Sequence, residues 1–201
     1  MPSAPLVRAC ICATSIASHA ADKFPEKRSD AVNTDSIYQL SVPLVDQSGR
    51  DFSLDRFRGN PLLVTMFYSS CPLVCPRIVE ALKKTEAALP TAIRNKVPVL
   101  MVSFDVARDD AAALKAMVDE RHINTNVWTL ARSDAAHTRK LAAMLGIQYR
   151  ELDGGGFNHT SVLILLDGDE KIVGKTFNIG GADAKLVQLV AQTTGTNLAA
   201  R

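Results

Sequence analysis

Apolar positions along the chain fall into short blocks whose period switches between two and about 3.6. Tyr38-Gln-Leu-Ser-Val42 alternates, Gln47-Ser-Gly49 supplies turn chemistry, and Asp51-Phe-Ser-Leu54 alternates again, predicting a hairpin over residues 38–55. Beyond the break at Gly59-Asn-Pro61, residues 62–68 form an apolar run interrupted only by Thr65. That run is short and β-branched enough for a strand buried on both faces. Residues 78–89 predict a helix ended by Pro90, and 97–104 a second buried strand. Residues 109–121 are amphipathic, with Leu114, Met117 and Val118 on one helical face. Residues 127–130 read as a short strand. Ser133 is a suitable N-cap for a helix to Leu145, with Gly146 as its stop. Residues 161–166 and 171–176 flank Asp167-Gly-Asp-Glu170 as a hairpin, and residues 183–192 close the chain as a helix.

Strands alternating with helices predict an α/β fold: a central mixed sheet flanked by helices on both faces and extended by the N-terminal hairpin. No internal repeat or low-complexity tract breaks the pattern. In such sheets, ligands and reactive groups gather beyond the carboxyl ends of strands. The first strand-to-helix junction of the sheet carries Cys71 and Cys75, which makes both site candidates on topology alone.

Composition narrows the class. The chain has 201 residues, 47% hydrophobic and 22% charged, which excludes collagen-like, disordered and coiled-coil readings. A chain of this length needs no disulfide scaffold to hold a core. Net charge is +2, and no Lys/Arg run suggests a nucleic-acid partner. In residues 1–20, Arg8, a short apolar run and the small residues Ser18 and Ala20 outline a secretory signal peptide or membrane leader. A disordered cytosolic leader is the competing reading. The run is too short to span a bilayer, which takes about 20 residues, and no later stretch approaches that length. Residues 21–36, with Pro25 and Glu26-Lys-Arg28, read as a linker, leaving 37–197 as the domain. The expected location is the periplasm or another exported compartment, with a membrane tether where the leader stays on.

The four cysteines form two pairs with different meanings. Cys10 and Cys12 lie in the leader. Cys71 and Cys75 lie in Cys71-Pro-Leu-Val-Cys75-Pro76. On a helical turn, side chains four residues apart have Cβ atoms about 5–6 Å apart, within reach of a disulfide or one shared metal ion. Pro76 is expected to open the main helix, with both cysteines on the turn before it. The positive end of a helix favours thiolate. A passive disulfide or two buried core residues are the bland alternatives, and a structural zinc site lacks its second pair once the leader is removed. Of the histidines, His19 is in the leader, and His122 and His137 read as solvated residues near helices. His159 follows Gly154-Gly-Gly156 and precedes a buried strand. It either packs as a loop residue or brings a nitrogen to the two thiols. Two sulfurs and an imidazole suit copper, as Cu(I) or Cu(II), better than magnesium or calcium.

These motifs resemble the Sco/SenC family of thioredoxin-like copper proteins over about residues 38–181. The features that carry the resemblance are Leu54-Asp-Arg-Phe57-Arg58-Gly59, Cys71-Pro-Leu-Val-Cys75-Pro76, Ser103-Phe-Asp105 with Arg108-Asp109, and His159-Thr160. The resemblance implies a thioredoxin-like fold and copper ligation by Cys71, Cys75 and His159. The chain departs from the family pattern at Leu73 and Asn158, where many members are acidic, and at Val106, where proline is usual. A carboxylate beside a ligating histidine orients it and raises its basicity. Its absence predicts that Cu(I) capture is better preserved than Cu(II) capture.

The resemblance also implies copper delivery, or thiol–disulfide chemistry, in assembly of a respiratory copper centre, typically that of cytochrome c oxidase subunit two. A metallochaperone that is not an enzyme is one reading. The alternative is a thiol–disulfide oxidoreductase with Cys71 attacking and Cys75 resolving, reset by a thiol reductant. A peroxidase reading fits poorly, because Tyr68 stands three residues before Cys71 where such an enzyme carries threonine.

Overall fold

The computed structural model describes residues 42–199 together with Met1. The leader and linker segments, with Cys10 and Cys12, lie outside the described residues, as do Tyr38 to Ser41 of the expected first strand. The first hairpin pairs β1 (Pro43–Asp46) with β2 (Asp51–Ser53). Its turn is organised by buried Asp46, whose carboxylate accepts the Ser48 N–H at 2.7 Å, the Arg50 N–H at 3.1 Å and the Arg50 Nε–H at 3.0 Å.

Three parallel strands form the centre: β3 (Leu62–Phe67), β4 (Val99–Ser103) and β5 (Trp128–Arg132). β8 (Leu163–Leu166) pairs antiparallel with β3, and β9 (Ile172–Thr176) antiparallel with β8. β1 joins antiparallel to β5, giving the seven-stranded order β2-β1-β5-β4-β3-β8-β9. The N-terminal hairpin therefore extends the sheet. Every residue of β3, β4 and β8 is buried. Successive side chains of a strand point to opposite faces, so both faces of the central strands are covered. The helices doing so are α1 (Val74–Ala88), α2 (Ala111–Glu120), α3 (Ala135–Leu145) and α4 (Ala184–Ala199). α1 packs on α4, and α2 on β5 and β1. Buried Trp128 ties β5 to α1 through its indole N–H, which donates to Glu86 Oε2 at 3.2 Å.

Three expectations are corrected. α1 begins at Val74 rather than near Ile78, so Cys75 lies inside its first turn instead of before it. Pro76 is tolerated there because first-turn residues have no intrahelical acceptor to lose. α3 is capped by Asp134, whose carboxylate accepts the N–H groups of Ala136 and His137, while the expected cap, Ser133, donates its hydroxyl to the Pro43 carbonyl. The glycine-rich stretch before β8 is not a plain loop. It is the turn of a separate hairpin, β6 (Tyr149–Glu151) with β7 (Phe157–His159), and His159 sits at its end. No helix among the described residues is long and apolar enough to cross a membrane.

Candidate metal centre

β3, β4 and β5 all run toward one end of the sheet. The chain leaving β3 there makes a tight turn, with the Cys71 N–H donating to the Tyr68 carbonyl at 3.3 Å, and enters α1. Because β8 is antiparallel to β3, the segment entering β8 arrives at this same end. Thr65 on β3 fixes that approach by donating to the Val162 carbonyl at 2.8 Å. Topology thus brings residues 71–75 and residue 159 together from segments far apart in sequence.

Ligand atoms of Cys71, Cys75 and His159 all lie within 4.8 Å of one another. Both cysteines are buried and carry free thiols, and His159 is half-buried. The two thiols are unequal. Burial is the largest influence on Cys71 and opposes its ionisation. The N–H groups of Cys75, Leu73 and Val74, at the start of α1, outweigh it and hold the thiol below its ordinary value. The Cys75 N–H reaches Cys71 Sγ at 3.4 Å. Cys75 is pushed strongly upward, chiefly by burial, with added repulsion from Cys71 and Asp109. Burial also lowers His159, favouring neutral imidazole. His159 Nδ1 faces the Thr160 carbonyl at 3.2 Å. A carbonyl only accepts, so Nδ1 carries the hydrogen and Nε2 keeps a free lone pair.

Aromatic rings wall the site. His159 packs against Phe104 with ring centroids 4.9 Å apart and edge-on against Tyr68 at 5.9 Å. Phe157 contacts both Tyr68 and Phe104, and Tyr149 stacks on Phe104 at 5.0 Å. The Tyr68 hydroxyl accepts the Phe157 N–H at 3.5 Å. Beneath the thiol turn, buried Asp109 accepts the Ser69 N–H at 2.8 Å and the hydroxyls of Ser69 and Ser103. Asp109 is thereby fully engaged in holding the turn. Leu73, between the cysteines, is 74% exposed, and Asn158 is exposed as well, so neither departure from the family pattern disturbs the packing.

The structure brings Cys71, Cys75 and His159, the three residues singled out from the sequence, into one cluster. Sequence reasoning missed the wall of Tyr68, Phe104, Tyr149 and Phe157 and the role of Asp109. An aromatic residue at a strand end, such as Tyr68, carries no sequence mark of what it packs against. His122 and His137 lie apart from the cluster, as expected. His137 pairs with Asp134 at the start of α3, and His122 has a left-handed backbone (φ 49) just past α2.

The fold and the site define a thioredoxin-like α/β protein with a soft thiol–imidazole donor set at the carboxyl ends of its parallel strands. The SCO1/SenC family matches residues 30–194, and the chain belongs to that family. The mitochondrial SCO2 homolog of Mus musculus is 26% identical over 119 residues, covering 57% of this chain and 46% of that protein. The chain's matches span under half the length of the first curated relatives. Among solved structures, Bradyrhizobium japonicum ScoI with copper bound superposes with TM-score 0.64 at 21% identity, covering 76% of this chain and 96% of that one. BsSco, described through a disulfide switch and as a member of the Sco family of cytochrome c oxidase assembly proteins, superposes with TM-score 0.65 at 15% identity, covering 77% and 91%.

Proposed function

We propose that the chain is a copper metallochaperone: Cys71, Cys75 and His159 hold one copper ion and pass it to a respiratory copper centre of the cytochrome c oxidase type. The observation that carries the reading is the convergence of two sulfurs and one imidazole nitrogen, from distant segments, within 4.8 Å. Two thiolates and an imidazole are a donor set for copper, and no carboxylate belongs to the group among the described residues. Cys71 enters as thiolate, Cys75 gives up its proton as metal arrives, and neutral His159 offers Nε2. Few ligands and an exposed rim suit release by ligand exchange, in which a client thiol or imidazole replaces one donor at a time. The leader at 1–20, the linker at 21–36 and the domain at 37–197 fit an exported protein whose client faces the same compartment. N-terminal sequencing of the protein recovered from cells tests that division.

A second reading is favoured by the inequality of the thiols. Cys71 as thiolate can attack a client disulfide, forming a mixed disulfide and releasing one client thiolate. Cys75, after losing its proton, then displaces the second client sulfur and closes the Cys71–Cys75 disulfide. Two electrons pass to the client, and an external thiol reductant must restore the pair. Anaerobic copper titration followed by gel filtration separates the two readings. The reduced protein should retain one copper per chain. His159→Ala should lose Cu(II) retention and keep reductase activity toward a model disulfide. Retention of no copper by the reduced wild-type protein would sink the chaperone reading.

A further inference from the structure

His159 is presented by β6–β7, a hairpin outside the main sheet whose strands are three residues each. Two such strands are not stable alone in water, so something else must hold them in place. Phe157 and Tyr149 pack on Tyr68 and Phe104 on one side, while an open cleft of about 210 Å³ separates the hairpin from the turn after β4, lined by Asp105, Val106, Tyr149, Glu151 and Phe157 among others. Arg108 does not line that cleft but bridges the β4–α2 connection and the hairpin beside it. Its Nε donates to buried Asp105 at 2.5 Å, anchoring the side chain to the body. Its guanidinium lies 5.5 Å from the centroid of the Phe157 ring, and Nη2 lies 3.6 Å from Glu151 Oε1. Its Nη1 also occupies the space above Gly155, where a Cβ would stand only 2.7 Å away. One side chain therefore touches three residues of the hairpin from a fixed point on the β4–α2 connection.

We infer that Arg108 is a positioning residue that latches the β6–β7 hairpin and so sets whether the copper site offers its nitrogen donor. Cys71 and Cys75 belong to the β3–α1 segment, whose turn is held by different bonds, from Ser69 to Asp109. Loss of the latch leaves a two-sulfur site able to keep Cu(I) while the nitrogen is lost to Cu(II). The donor can thus be detached without unfolding the thiol turn. The inference rests on the reading of Cys71, Cys75 and His159 as the donors.

The test is a double-mutant cycle of Arg108→Gln and His159→Ala on the full chain, with Cu(II) and Cu(I) affinities measured by competition against chelators. Arg108→Gln alone should weaken Cu(II) binding about tenfold, a typical loss for a group that orients a ligand, and leave Cu(I) affinity within about twofold. In the His159→Ala background it should cause no further loss. Equal losses in both backgrounds, or equal losses for both oxidation states, would overturn the latch. Hydrogen exchange on the copper-free protein reads it independently. In Arg108→Gln, amides of residues 149–159 should exchange about fivefold faster, the scale of one partly exposed ion pair, while β4 amides keep their rates. Unchanged exchange in the hairpin would refute the proposal. The two claims fail separately: a wild-type protein that binds no copper overturns the donor reading, and the exchange measurement still decides the latch.

Discussion

Replacing Asp109 tests how the thiol turn is held. Its carboxylate is 1% exposed and takes three hydrogen bonds, from the Ser69 N–H and from the hydroxyls of Ser69 and Ser103. Hydrogen bonds to a charged group contribute about 1.5–3 kcal/mol each, and a buried donor left without a partner costs about 1–3 kcal/mol. Removing the buried carboxylate also relieves its own desolvation, which offsets part of the sum. Asp109→Ala is therefore expected to destabilise by about 2–4 kcal/mol, with the Ser69 N–H left unpaired and the two hydroxyls free to turn to other acceptors. Asp109→Asn keeps the shape and one acceptor oxygen, and the hydroxyls can rotate to meet its amide. Its cost should be about 1–2 kcal/mol. Urea denaturation followed by the fluorescence of Trp128, the single tryptophan and a buried one, measures both. A loss below about 1 kcal/mol for Asp109→Ala, or equal losses for both variants, would refute the idea that this carboxylate pins the turn.

Other parts of the fold make separate predictions. Burial opposes ionisation of Asp46, but the Arg50 and Ser48 N–H groups and the Arg50 side chain outweigh it and hold its carboxyl below the usual value. Its stabilisation is complete above the unfolded value of about 3.9 and fades as pH falls through the lower folded value. The gap in stability between wild type and Asp46→Asn should therefore close in acid; a gap that widens below pH 4 would contradict this. Gly155→Ala forces a side chain at φ +77 and drives a Cβ toward Arg108. A cost of about 1–2 kcal/mol is expected in thermal or urea unfolding, and a neutral result would show that the hairpin yields freely. Leu73→Asp, at an exposed position, should shift stability by no more than about 0.5 kcal/mol, so any change in copper retention it causes reports on the site rather than the fold.

The buried strands were legible because burial on both faces leaves apolar runs with no alternation, as in Leu62–Phe67 and Leu163–Leu166. Helix starts were less so. Pro76 looks like an opening residue, yet the third helical position accepts it equally, and only the backbone distinguishes the two. The β6–β7 hairpin escaped notice because three-residue strands with exposed polar members such as Arg150 and Asn158 leave no periodic signal. Its Gly154-Gly-Gly156 turn carries the same glycine signal as a plain loop. Cys71 and Cys75 stand out by residue type and spacing, and His159 joins them through the family resemblance. What lies around them does not stand out, because Phe104, Tyr149 and Arg108 reach His159 and its hairpin through tertiary contacts that no local pattern encodes.

Copper ligation by Cys71, Cys75 and His159 is the proposal on which the rest depends. X-ray absorption spectroscopy of the anaerobically loaded, reduced protein examines that donor set directly. One copper per chain is expected, with two sulfur neighbours and one nitrogen neighbour, the nitrogen disappearing in His159→Ala. A shell of oxygen and nitrogen alone, or a nitrogen signal that survives in His159→Ala, would contradict it.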